Sequence, residues 1–175
     1  MHVQTHIMSG WCIGNWLTLT PRERLCSMIA TSVADLDGLG ILFGQEAYWN
    51  YHHKLGHNLA FAVLLSLVLA AFSTRWFFAF VLYLGFTHLH LLLDYFGSGP
   101  GWPLYYLWPF SYYTFENRSA WEFYSWQNIT TAAVLFVITL FVAIRGGRTP
   151  LEVIMPHLDQ ELVRWLRRRF GYRSK

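Results

Sequence analysis

The stretch 58–96, NLAFAVLLSLVLAAFSTRWFFAFVLYLGFTHLHLLLDYF, contains two long apolar runs on either side of a short polar turn at Thr74–Arg75. The first run, 58–72, carries no charged residue, and the second, 76–96, carries a single carboxylate. Uninterrupted apolar runs of this length are typical of buried or membrane helices, and a short turn folds two of them into an antiparallel pair. The stretch therefore predicts a helical hairpin.

Composition places this hairpin in a membrane protein. The 175 residues are 54% hydrophobic, 19% aromatic and 13% charged, whereas a soluble domain is roughly a quarter charged. The mean hydropathy is +0.28. A third apolar helix is expected at 129–144, capped by Asn128. Because the runs are about 15 to 20 residues long and a span needs roughly 20, a buried bundle is the alternative. Three runs with aromatic flanks favour the membrane.

Local signals predict the other elements. Thr20, Pro21 and Glu23 form the start of a helix, with a capping box and a proline at the first helical position. The remaining elements are a helix at 3–17, the helix from 20 to about 34, an irregular aromatic segment at 104–127 and a basic amphipathic helix at 151–170. We expect an all-α, membrane-embedded bundle of about four to five helices, built from two antiparallel hairpins.

The chain is expected to form one domain over 1–175, with a core at 2–145 and a basic C-terminal tail at 146–175. The segment 164–175 is rich in arginine and contains no anion. It predicts contact with anionic lipid headgroups, with a solvated tail as the alternative. These cations favour a multi-pass inner membrane protein with a cytoplasmic C-terminus. Nucleic acid is not an expected partner, because no nucleic-acid recognition motif accompanies these basic residues.

The hairpin at 58–96 brings ionisable side chains to its open end. At equal rise per residue, position 57 comes level with about position 92. The residues that meet there are His52, His53, His57, His88, His90 and Asp94. Facing histidines and carboxylates in a helical bundle are a common way to bind a metal ion.

The spacing of these residues along their helices indicates which of them share a face. His90 and Asp94 are four residues apart and share a helix face, whereas His88 points elsewhere. In HHKLGH, 52–57, the choice of the histidine that accompanies His57 depends on local structure. If the stretch is helical, His53 shares a face with His57. If the stretch is irregular, His52 can take the place of His53.

The first two helices bring a matching group together. Their turn lies near 18–20, so His6 approaches Asp35 and Asp37. Two aspartates at the end of a helix are disfavoured by the helix dipole, so a positive partner is expected nearby. In a four-helix arrangement both groups merge into one site. Taken singly, a histidine in such a segment is more often a hydrogen-bonded core or interface residue than a ligand. Asp35 or Asp37 alone is explained as a loop carboxylate, and Asp94 alone as a cap for the loop after its helix.

The merged site predicts a divalent metal. Neutral imidazoles with carboxylates suit Zn²⁺, with Mn²⁺ or Fe²⁺ as alternatives. The ligand number allows one ion, or two ions that share a carboxylate such as Asp35 or Asp94. The candidate ligands are His6, Asp35, Asp37, His52, His53, His57, His88, His90 and Asp94. Asp37, where it is not a ligand, is the candidate general base.

Four motifs carry a family resemblance. THIMSG, ADLDG, HHKLGHN and THLHLLLDYFGSGPGWPLYYLWPFS, within residues 2–111, resemble the YdjM-like family of membrane-bound metal-dependent hydrolases. That family is similar in its His and Asp pattern to the zinc-dependent phospholipase C and P1 nuclease group. The resemblance implies metal ligands or close partners at His6, Asp35, Asp37, His57, His90 and Asp94.

The chain departs from the family pattern at two motifs. In HHKLGHN, Lys54 stands where the family has arginine and Gly56 where it has threonine, which leaves the choice between His52 and His53 open. The family pattern does not settle the role of the extra His88.

The functional expectation is a membrane-bound hydrolase that uses metal-activated water on a phosphoester or ester of a lipid-like substrate. Lys54, Ser111 and Arg118 are candidates for holding an anionic substrate, and the segment 102–126 is either an entrance or an interfacial anchor. The alternatives are a membrane protein that handles ions or protons, or one that binds metal without hydrolysis. The sequence does not indicate the oligomeric state.

Overall fold

The computed structural model describes residues 1–172, so Arg173, Ser174 and Lys175 of the predicted basic tail lie outside the described residues. Within 1–172 every regular element is helical, which confirms the all-α prediction. The α-helices are α1 (Val3–Trp16), α2 (Pro21–Ala30), α3 (Gln45–Tyr51), α4 (Leu59–Ala70), α5 (Trp76–Gly97), α6 (Trp126–Gly146) and α7 (Pro156–Arg169), and a 3₁₀ segment covers Val33–Phe43. The number of helices exceeds the expected four to five because the linker between the hairpins is itself helical.

Both predicted hairpins form, α1 with α2 and α4 with α5. The capping box of α2 is present, since Thr20 Oγ1 accepts from the Glu23 amide at 3.3 Å and the Glu23 carboxylate accepts from the Thr20 amide at 2.8 Å. Gly10 lies against Ser27, which lets α1 and α2 approach closely at their antiparallel crossing. Asn58 caps α4 by accepting from the amide of Phe61.

The link between α2 and the 3₁₀ segment differs from the expectation. α2 ends at Ala30 rather than near 34, because the hydroxyls of Thr31 and Ser32 bond back to carbonyls of the last turn. Asp35 therefore lies in the first turn of the 3₁₀ segment, where the helix dipole favours an acid. The segment packs on α3 and completes the connection between the two hairpins.

Among residues 1–172, the helices α5 and α6 have the length and composition of membrane spans. The bent pair of α2 with the 3₁₀ segment makes a third if it counts as one span. With 22 residues, α5 is about 33 Å long, which matches a hydrocarbon core of roughly 30 Å. The run 58–72 forms α4, whose 12 residues are too few to cross the hydrocarbon core as a straight helix. The wide apolar surface that α6 leaves uncovered fits contact with lipid.

Asn128 does not cap the third apolar helix as expected. α6 begins at Trp126 with Ser125 as its cap. Asn128 is buried one turn inside and donates to the carbonyl of Gly97 at 2.8 Å, which ties the start of α6 to the end of α5.

The C-terminal segment is packed on the core. Arg24 makes a bidentate pair with Glu152, with contacts of 2.7 and 2.6 Å, so the segment is anchored to α2. Asp159, near the start of α7, accepts from the amide and the hydroxyl of Thr149 at 2.6 Å. The described part of the predicted tail therefore contributes to the folded unit.

Candidate metal centre

Four elements converge on one buried point at the open end of the hairpins. His6 comes from α1, Asp35 from the 3₁₀ segment, His57 from the turn before α4, and His90 with Asp94 from α5. Each side chain is buried except that of Asp35, which is 12% exposed. Together with His53 these residues form what we call the His–Asp cluster.

The spacing of the donor atoms matches a coordination shell. Bonds of 2.0–2.1 Å in a tetrahedral zinc site separate the ligand atoms by about 3.3 Å. The Asp94 carboxylate lies 3.2 Å from His6 Nε2, 3.2 Å from His57 Nε2 and 3.0 Å from His90 Nε2. The Nε2 atoms of His57 and His90 are 3.0 Å apart. Asp35 stands slightly further out, 3.7–3.9 Å from the three imidazoles.

The donors fall into two groups that share one residue. One group comprises His6, Asp35, His90 and Asp94, and the other comprises His53, His57 and Asp94, with the donor atoms of each group within 4.8 Å of one another. Asp94 is the common member, and its two oxygens face different histidines. The donor set therefore fits one ion, or two ions bridged by Asp94.

A second layer of hydrogen bonds fixes the imidazole rings. Asp37 accepts from His57 Nδ1 at 2.9 Å, from His52 Nδ1 at 2.7 Å and from the Gly56 amide at 3.0 Å. His90 Nδ1 donates to the carbonyl of Thr31 at 2.8 Å. Both rings therefore direct Nε2 at the cluster, which is the arrangement that carboxylates and carbonyls impose on metal-bound histidines.

Several cluster atoms lack a partner within residues 1–172. These buried atoms are His6 Nδ1, His53 Nδ1 and Asp35 Oδ2. An unpaired buried polar atom is costly, and a network that served the fold alone would satisfy it. The unpaired carboxylate oxygen of Asp35 points to a ligand, either water or a cation.

The histidines of the cluster differ in their pKa shifts. Burial lowers the pKa of His57, but hydrogen bonds with Asp37 and Asp94 outweigh it and raise the pKa to about 10. Burial lowers the pKa of His6, against the attraction of Asp94, and burial with the neighbouring His57 lowers the pKa of His53. The Met1 ammonium group contacts Asp94. His57 is thus the histidine of the cluster whose protonated form Asp37 and Asp94 favour.

His53 adopts a backbone conformation that turns it into the cluster. Its φ is +62°, a left-handed value that is costly for a residue with a Cβ. Its ring stacks on that of His57 with centroids 4.4 Å apart, while His52 binds Asp37. The geometry thus places His53 in the cluster and His52 in the layer around it.

A cavity of about 230 Å³ opens beside the cluster. Its lining residues are Met1, Asp35, Tyr48, His52, His53, Ser98, Trp102 and Phe123. Three of them, Tyr48, Trp102 and Phe123, are aromatic residues that sequence reasoning did not single out. Trp102 and Phe123 lie within the segment 102–126, which the sequence predicts as an entrance or an interfacial anchor, and its aromatic content was the available signal.

Among the candidate ligands, His52 and Asp37 lie in the layer around the cluster, and His88 lies away from both the cluster and that layer. Its Nδ1 donates to the carbonyl of Leu84 at 2.7 Å and its Nε2 contacts the hydroxyl of Tyr106 at 2.9 Å. Lys54, a candidate for anion binding, lies over the rings of Tyr105 and Tyr112.

Comparison with known proteins identifies a matching family and a relative of this chain. The model of the family described as YdjM inner membrane protein matches residues 1–159. The inner membrane protein YbcI of Escherichia coli (strain K12) is 31% identical over 166 residues, which cover 87% of this chain and 88% of that protein. No solved structure gives a significant match.

Proposed function

The chain belongs to the YdjM inner membrane protein family, and from that premise we propose that it is a membrane-embedded, metal-dependent hydrolase acting on a phosphoester or ester of a lipid-like substrate. The observation that carries the proposal is the His–Asp cluster. Its donor atoms come from four elements, stand at the spacing of a coordination shell and include unpaired buried atoms.

The residues divide into roles by their contacts. His6, His57, His90 and Asp94 would hold the ion, most favourably Zn²⁺, with Mn²⁺ or Fe²⁺ as alternatives. A divalent ion in this place would supply activation of water and stabilisation of charge on a phosphoryl or acyl oxygen. His53 would take part where two ions bind, since it belongs to the second donor group.

The general base is better assigned to Asp35 than to Asp37. Both oxygens of Asp37 accept hydrogen bonds from His52, His57 and Gly56. Asp35 instead lines the cavity, and its Oδ2 has no partner within the described residues. The Asp35 carboxylate would accept a proton from water in the cavity, and Asp37 would act as a positioning residue for His57.

The cavity supports a reaction site over a purely structural metal. A catalytic metal keeps a coordination position for water or substrate, which a closed structural site lacks. With His6, His57, His90 and Asp94 as protein ligands, that position would be a further one beside these four. The cluster has an open side at Asp35, facing a space large enough for a small polar group. Aromatic residues at its wall would exclude bulk water, and membrane lipids are the nearest source of ester groups.

A second candidate is proton or ion handling without hydrolysis. The observation in its favour is a continuous chain of contacts from His52 through Asp37, His57 and Asp94 to His6, each between 2.7 and 3.2 Å. Chains of this kind carry protons in membrane transporters. Against it, the chain ends at buried His6, and the cluster lies near the end of α5 rather than at mid-helix.

One experiment separates these functions. We would purify the protein in detergent and measure bound metal in the wild type, His57→Ala, Asp94→Ala and His157→Ala, where His157 is exposed on α7 and serves as control. The proposal expects metal loss in the first two variants alone. Full metal content in both would refute the site.

The same samples then enter a screen of phosphodiester, phosphomonoester and carboxylic ester lipids. Turnover that is lost in Asp35→Asn, while the metal is retained, supports the hydrolase. Metal binding with no turnover of any class contradicts the enzyme and favours the second candidate.

A further inference from the structure

His88 has no part in the His–Asp cluster, although it lies two residues from His90 on the same helix. It faces the other side of α5, where its ring contacts Tyr106 from the aromatic segment. A histidine on an apolar, membrane-spanning helix is costly unless it has a use. Its environment indicates what that use is.

Beside His88 lies an apolar groove of about 610 Å³, which we call the α5 groove. Its lining residues are Gly85, His88, Leu89, Leu91, Leu92, Tyr95, Leu104, Tyr106 and Phe115. The volume falls within the range of small-molecule sites. Because the groove runs along a candidate membrane span, the molecules that reach it are lipids.

A second apolar groove, of about 430 Å³, lies on α4 and shares one residue with the first. We call it the α4 groove, and its lining residues are Leu59, Ala60, Val63, Leu64, Leu67, Tyr106, Leu107, Trp108 and Phe110. The shared residue is Tyr106, whose carbonyl accepts from the amide of Leu59 at 2.8 Å. Tyr106 is therefore a fixed ridge with an apolar groove on each side.

The polar atoms at this ridge have a defined hydrogen-bonding capacity. His88 Nδ1 donates to the Leu84 carbonyl, so Nε2 carries the lone pair and accepts from the Tyr106 hydroxyl. The Tyr106 oxygen then retains acceptor capacity alone. The Tyr106 oxygen can therefore accept a hydrogen bond from a ligand that carries a hydroxyl or an N–H group.

We propose that the two grooves bind a two-chain lipid, with one acyl chain on each side of Tyr106 and a hydroxyl or N–H of the lipid donating to the Tyr106 oxygen. Diacylglycerol has this chemistry, with two chains and one free hydroxyl. The site is separate from the His–Asp cluster and does not depend on the proposed hydrolase activity, although a lipid held there lies on the helix that carries His90 and Asp94.

Photolabelling tests the proposal in nanodiscs made of phosphatidylcholine. The probes are a diacylglycerol with a diazirine in one chain and its O-methyl ether, which lacks the donor. Gly85→Phe fills the α5 groove, since a Cβ at Gly85 meets no described atom within 4 Å. Tyr106→Phe removes the hydroxyl and keeps the ridge, and Ala133→Phe, on the exposed surface of α6, is the control.

For the wild type we expect labelled peptides from the grooves and competition by unlabelled diacylglycerol about two- to tenfold stronger than by the ether. Gly85→Phe should lose most of the labelling in the α5 groove, and Ala133→Phe should keep it. In Tyr106→Phe the two competitors should become equal while labelling persists.

Labelling that covers α6 and α5 alike and is unchanged by Gly85→Phe would overturn the proposal, because it would describe bulk lipid contact. Equal competition by both lipids in the wild type would overturn the role of Tyr106. His57→Ala should label as the wild type does, so a failed metal site and a failed lipid site give different results.

Discussion

Asp37→Asn tests whether the layer around the cluster controls the metal. The asparagine side chain would keep the shape of the aspartate and one acceptor oxygen. Its amide nitrogen cannot accept from a ring N–H, so one of the bonds from His52 Nδ1 (2.7 Å) and His57 Nδ1 (2.9 Å) is lost. Even where the asparagine oxygen stays on His57 Nδ1, the substitution removes the negative charge that fixes the tautomer and raises the basicity of that ring as a metal ligand.

The size of the effect follows from this role. Loss of a carboxylate that orients a metal-bound histidine weakens metal affinity by about 10- to 100-fold, which corresponds to about 1.4 to 2.7 kcal/mol. Asp94→Asn should cost more, because Asp94 belongs to both donor groups. The expected order of zinc affinity is wild type, Asp37→Asn, then Asp94→Asn.

The assay is competition for Zn²⁺ between the detergent-solubilised protein and a chromophoric chelator. Asp159→Asn is the matched control, since Asp159 is a buried aspartate that accepts two hydrogen bonds from Thr149, away from the cluster. It should lower the thermal stability and leave the zinc affinity unchanged. Wild-type affinity in Asp37→Asn would refute the positioning role, and equal losses in Asp37→Asn and Asp159→Asn would show a general folding effect.

Three further predictions concern pH, stability and packing. The pKa of His57 is raised to about 10, so this group is protonated at pH 8. Zinc binding should therefore release a proton and strengthen as pH rises. Calorimetry in buffers of different ionisation enthalpy measures this release, and equal heats in all buffers would contradict it. Glu152→Gln should lower the unfolding free energy by about 3 to 5 kcal/mol, because it leaves buried Arg24 without its charge partner, and thermal unfolding should show this with metal content unchanged. Gly56→Ala should weaken zinc binding in the chelator assay, since its Cβ would lie 2.3 Å from the Ala34 carbonyl and displace the 3₁₀ segment, whereas Gly85→Ala should behave as the wild type.

The hairpin register was predictable because it depends on two local properties. Helical rise is constant, so a turn near Thr74 sets which residues meet at the far end. That is how the sequence predicts the meeting of His57 with His90 and Asp94, which the structure places within 3.2 Å. The same reasoning leads from the turn near Thr20 to His6 and the aspartates.

Other features depend on tertiary contacts that no local pattern encodes. The end of α2 at Ala30 results from back-bonding by Thr31 and Ser32, which are equally compatible with a continued helix. Asn128 is a good cap by type, yet its side chain binds the Gly97 carbonyl of another helix. The distinction between Asp35 and Asp37 likewise arises from which side of the 3₁₀ segment faces His52.

The linker between the hairpins explains why the cluster lies where it does. The two hairpins bring their histidines to one end, and Asp94 of the second hairpin contacts both His6 and His57. The 3₁₀ segment adds Asp35 and Asp37, and Gly56 allows the backbone of the next turn to reach Ala34. Asp35 then faces the cavity and Asp37 faces the rings, because residues two apart in a helix of three residues per turn point about 120° apart. The two aspartates thus differ in role through the geometry of the linker, and its close packing on α3 keeps that difference fixed.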